Sequence, residues 1–67
     1  MSMKIIQPKQ KQLLEYLLEM EISIANFARD VSYSRTHISQ VCHMRTAAGK
    51  ELINLIYEKT NGRVDLR

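Results

Sequence analysis

The stretch Phe27–Cys42, FARDVSYSRTHISQVC, decides how this chain folds. Phe27, Ala28 and Val31 recur at the spacing of one helical face, and Ile38 and Val41 do so again beyond the polar break Ser32-Tyr33-Ser34. Neither Gly nor Pro marks that break. Ser34 nevertheless has the chemistry of a helix start, because its hydroxyl oxygen can accept from an unpaired N–H of a helix beginning at Arg35. The stretch therefore reads as two helices meeting at a turn, not as one irregular helix.

The neighbouring segments obey the same logic. Ser23 is a second N-cap, opening a short helix at Ile24 whose inner side is Ile24, Phe27, Ala28 and Val31. Upstream, Pro8 suits the first position of a helix, where its missing N–H costs nothing. From there Leu13, Leu17 and Met20, flanked by Leu14, Tyr16 and Leu18, predict one broad stripe toward a core, with Gln10, Gln12, Glu15 and Glu19 opposite. Downstream, a helix beginning near Gly49 carries Leu52, Ile53, Leu55 and Ile56 and stops at Asn61-Gly62, a good left-handed terminator. Arg63–Arg67 alternates polar and apolar residues and predicts a short strand, with Met3–Ile6 as its partner. The expected fold is a compact all-α domain of four or five helices spanning residues 1–67, with room for a short terminal β pairing.

Size and composition limit the functions open to such a chain. Sixty-seven residues make one small domain, which buries only about 60% of the surface its unfolded chain exposes. A hydrophobic fraction of 45% against 25% charged residues argues for a folded chain over a disordered one. No apolar run approaches the roughly 18 residues that span a bilayer. The start MSMKIIQPKQK lacks a signal-peptide apolar core, so a cytoplasmic chain is the expectation. A single cysteine, Cys42, excludes an internal disulfide.

The net charge of +3 is a weak signal, but its distribution is informative. Lys4, Lys9 and Lys11 stand without acids; Glu15, Glu19, Glu21 and Asp30 follow against Arg29 alone. Arg35, Arg45 and Lys50, with His37 and His43, again stand without acids, and the remaining segment is balanced. Such segregation gives a polyanion one face to prefer.

The helix starting at Arg35 concentrates this chemistry. Its outward residues are Arg35, Thr36, His37, Ser39, Gln40 and His43, without one carboxylate. An ordinary surface helix mixes Glu with Lys for solubility and pairing. The major groove of B-DNA admits one helix and shows a distinct donor and acceptor pattern at each base pair. Arg35 can fork onto guanine O6 and N7, Gln40 onto adenine N6 and N7, and Thr36 can hydrogen-bond or touch a thymine methyl. Ser34, Ser39 and the free N–H groups of the helix start suit phosphate oxygens, with Arg45 and Lys50 near the backbone.

These residues carry a resemblance. The run Ser23–His43, SIANFARDVSYSRTHISQVCH, resembles the helix-turn-helix of the phage repressor and Cro-like family, the lambda repressor-like or XRE-type DNA-binding domains. Ala28 stands where the family packs a small residue between its helices, and Ile38 and Val41 match its buried positions. Ser34–Val41 looks like its S-R-x-x-I-S-x-I pattern, and the first and fourth helices extend the likeness over most of the chain. Three positions depart from it: Ser32 where relatives have Gly, Tyr33 where they have a small aliphatic residue, and Ile24 where many have a phosphate-holding Gln. The resemblance implies base contacts from Arg35, Thr36 and Gln40, with His37 as an additional one. It implies phosphate contacts from Ser23, Ser34, Ser39, His43, Arg45 and Lys50, with Ser23 or Asn26 taking over the role left by Ile24. It further implies a homodimer on a two-fold related DNA operator, acting as a repressor of phage or prophage type in the bacterial cytoplasm or nucleoid. Val64 and Leu66, or the apolar side of the fourth helix, are the candidate dimer surfaces.

Other readings of the same residues are weaker. His37, Cys42 and His43 cannot converge tetrahedrally from one helix, so no metal is expected. Cys42 and His43 diverge by about 100° around the helix and give no nucleophile and base pair, so no enzymatic activity, cofactor or small-molecule ligand is expected. Cys42 and Met44 read as packing residues. Tyr33 either stacks on a sugar or base or covers the turn, and the cover is the better reading. The serious rival to DNA binding is a protein-docking module of antitoxin type, in which the polar helix is simply a solvated face.

Overall fold

The computed structural model describes residues 6–67. Among them there are helices and no strands: a 3-10 turn at Pro8–Gln10, then α1 (Lys11–Glu19), α2 (Ile24–Asp30), α3 (Arg35–Cys42) and α4 (Lys50–Lys59). None of these helices is long and apolar enough to cross a membrane. The two serine caps are formed as the sequence suggests. Ser23 Oγ accepts from Asn26 N–H and Ser34 Oγ from His37 N–H, each at 3.1 Å, which fixes where α2 and α3 begin.

The helix ends share one device. Glu21, Ser32, Met44 and Asn61, each just past a helix, have φ of 57°, 59°, 57° and 55°. In each case the next residue donates its N–H five residues back: Ile22 to Leu17, Tyr33 to Ala28, Arg45 to Gln40 and Gly62 to Tyr57. This is the Schellman arrangement, which satisfies carbonyls that a helix end leaves free. It ordinarily uses Gly at the left-handed position. Here four residues with a Cβ occupy it, and Gly62 (φ +81°) stands one place later, where an added Cβ would meet the Tyr57 ring at 3.4 Å.

One core joins all four helices. Leu13 and Leu17 of α1, Phe27 and Ala28 of α2, Ile38, Val41 and Cys42 of α3, and Leu52 and Ile56 of α4 are buried together. α3 packs against both α1 and α2. An eight-residue helix does not persist alone in water, so this packing is what holds its outward face in place.

The structure corrects several sequence expectations. The first helical segment opens on a 3-10 turn at Pro8, and α1 proper begins at Lys11. Its buried stripe is narrower than predicted: Leu18 is 70% exposed and Met20 is also exposed. Gln10, expected on the polar side, is buried with every hydrogen-bonding site of its amide used. Nε2 donates to the carbonyls of Val41 (3.0 Å) and Thr46 (2.9 Å), and Oε1 accepts from the N–H groups of Gln7 (3.1 Å) and Ala48 (3.4 Å). Met44 is not beneath its loop but exposed, as the left-handed residue closing α3.

Arg63–Arg67 forms no strand. Thr60 Oγ1 donates to the Ile56 carbonyl at 2.7 Å and accepts from Val64 N–H at 3.1 Å, folding the tail back so that Val64 and Leu66 sink into the core. A chain laid along a core alternates just as a strand does, which is why the pattern misled. Of its proposed partner, Met3, Lys4 and Ile5 lie outside the described residues.

Candidate functional site

The outward face of α3 is where chemistry-bearing side chains converge. Arg35, Thr36, Ser39 and Gln40, together with Ile24 from the start of α2, line an open groove of about 310 Å³. Burial of Ile38, Val41 and Cys42 turns this face outward, and the Ser34 cap sets its first residue. Arg35, Thr36 and Gln40 are exposed and Ser39 is half-buried. No carboxylate neutralises the face: among the described residues the ion pairs are Arg63–Glu19 (3.4 Å) and Arg67–Asp65 (3.1 Å), which involve neither α2 nor α3.

The remaining predicted contact residues surround the groove without lining it. His37 is half-buried, its ring stacked on Tyr33 at 5.4 Å between centroids and 20° between planes. Tyr33 thereby covers the turn, since it also packs on the core. His43, exposed at the end of α3, donates from Nδ1 to the Ser39 carbonyl at 2.8 Å. Its Nε2 is then the ring nitrogen left for a partner. Ser23 and Ser34 use an oxygen lone pair in capping and keep the hydroxyl proton for an outside acceptor. Arg45 and Lys50 are exposed, Arg45 just beyond the end of α3 and Lys50 as the first residue of α4.

Two residues of this region have roles that the sequence reading did not give them. Ile24 does pack toward the core as expected, but it is only half-buried and its remaining surface lines the groove. Its position at the start of a helix that abuts α3 was the available signal. Gln10 ties the entry of α1 to the Val41 and Thr46 carbonyls and so pins the end of α3. The spacing of Gln7 and Gln10 around Pro8 hints at a local cap, but nothing local reveals acceptors 31 and 36 residues away.

Cys42 and the histidines do not assemble into a reactive site. Burial pushes the Cys42 thiol up to about 11, so it stays protonated and unreactive at neutral pH. Among the described residues no three His, Cys, Asp or Glu side chains group as metal ligands. No family model, no curated protein and no solved structure matches this chain.

Proposed function

We propose that this chain is a double-stranded DNA-binding transcriptional regulator of the phage repressor and Cro-like kind, with α2, the turn and α3 as its helix-turn-helix. α3 enters the major groove. Arg35 and Gln40 read purine edges, Thr36 and His37 add base contacts, and Ser23, Ser34, Ser39, Arg45 and Lys50 hold phosphates. His43 presents Nε2 beside them, its Nδ1 being directed at the Ser39 carbonyl. The observation that carries the reading is the groove itself: guanidinium, amide and two hydroxyls converge on one helix face that no carboxylate touches. Ser32 holds the left-handed backbone that Gly takes at this turn in the phage repressor and Cro-like family, a geometry it shares here with the ends of α1, α3 and α4.

Occupancy of a promoter by such a domain represses transcription. A domain this small makes a modest interface, so two copies on half-sites about one helical turn apart are the expected bound form. The test is salt. Binding to a duplex from the gene's own upstream region should weaken linearly in log K against log salt, with a slope of about −2 to −4 per protomer if two to four phosphates are neutralised. A flat slope, or no duplex bound at low salt, would sink the proposal in favour of a protein-docking role.

A further inference from the structure

Resting on the DNA-binding reading, we infer that the groove between Ile24 and α3 is a receptor for the C5-methyl group of a pyrimidine, with Ile24 as its specificity-determining residue. The groove is not a purely polar cleft: more of its surface is carbon than nitrogen or oxygen. Ile24 is held by the core on one side and offers its other side to the groove, which Thr36, itself bearing a methyl, also lines. The major-groove edges of the four bases present a single apolar group, the thymine methyl. An apolar patch flanked by the donors of Arg35 and Gln40 therefore matches a thymine beside a purine that those donors read. The same chemistry is displayed by 5-methylcytosine, and the two sources are separable by experiment.

The measurement begins with duplexes selected from a random pool by the full chain. Each thymine of the selected half-site is replaced in turn by uracil, which removes only the methyl. One position per half-site should lose about fourfold in affinity, the value of one buried methyl-sized group. In Ile24→Ala that position should bind thymine and uracil alike, while every other position behaves as in the parent protein. Ile24→Gln serves as a second variant in case the alanine chain melts below the assay temperature, and it should lose the same discrimination. If uracil is tolerated throughout but methylation of one cytosine raises affinity in an Ile24-dependent way, the methyl comes from 5-methylcytosine and the inference stands. Indifference to every methyl, or a discrimination that survives both substitutions, overturns it while leaving DNA binding intact. Failure to enrich any duplex removes the DNA-binding reading and the inference with it.

Discussion

Ser32 holds a φ of 59° in a region where its Cβ crowds the following carbonyl. It does so because the turn needs Tyr33 N–H to reach the Ala28 carbonyl, at 2.9 Å. Glycine would adopt this backbone without the crowding but would lose more freedom on folding. The balance favours Ser32→Gly by about 0.5–1 kcal/mol, a rise in melting temperature of roughly 3–6 °C for a domain this small. Thermal unfolding by circular dichroism checks it; a lower melting point would mean that the serine side chain supports the turn. A second expectation concerns the groove. Arg35→Ala or Gln40→Ala should cost about 1–3 kcal/mol on a specific duplex and relax preference at one base pair. Lys50→Ala should weaken all duplexes alike, because a phosphate contact reads no sequence. Binding measured on the selected duplex and its single-base variants decides; uniform losses from Arg35→Ala would reassign that residue to phosphate. At this scale the sequence was informative wherever a side chain acts on its own backbone, as Ser23 and Ser34 do. It was silent where a role depends on a distant neighbour, as for Gln10 and the Val41 and Thr46 carbonyls.

α3 is an element that neighbours must hold, and Gln10 is the polar part of that hold. Its amide spans the α3 end and the following loop, and its burial leaves no water to substitute for a lost bond. Gln10→Ala should therefore cost about 2–4 kcal/mol, since buried backbone groups are left without partners. Gln10→Glu is the sharper experiment. A carboxylate at this position would face the Val41 and Thr46 carbonyls with no proton to give, so the variant should regain stability on acidification, as the carboxyl protonates and can donate again. Denaturant titrations at two pH values would show it, and a Glu variant equally stable at both would contradict the bonding described. The helices themselves were legible because apolar spacing and caps are local. The extent of the α1 stripe was not, since Leu18 and Leu17 lie about 100° apart and only packing decides which turns inward. Nor was the tail, whose alternation fits both a strand and a chain pressed on a core.

At the scale of the whole molecule, the tail bears on what can form a dimer. Val64 and Leu66 looked available for a second copy; they are instead 1% and 0% exposed within their own chain. Ile53 and Leu55 of α4 are also partly covered by the core. Removing residues 63–67 takes away two buried aliphatic side chains worth about 1.5–3 kcal/mol each, from a domain whose total stability scales to only about 3–10 kcal/mol. It also strips the Thr60 hydroxyl of its Val64 N–H donor. A chain ending at Gly62 should thus lose most of its cooperative unfolding transition and its helical circular dichroism, whatever its state of association. Sedimentation and thermal melts of the truncated and full chains separate the alternatives. If the shortened chain still melts cooperatively and changes only from dimer to monomer, the tail is an interface after all. If it unfolds, the tail is part of the fold and another surface is left to supply the two-fold contact expected for operator binding; among the described residues Leu18 on α1 is the most exposed large apolar side chain.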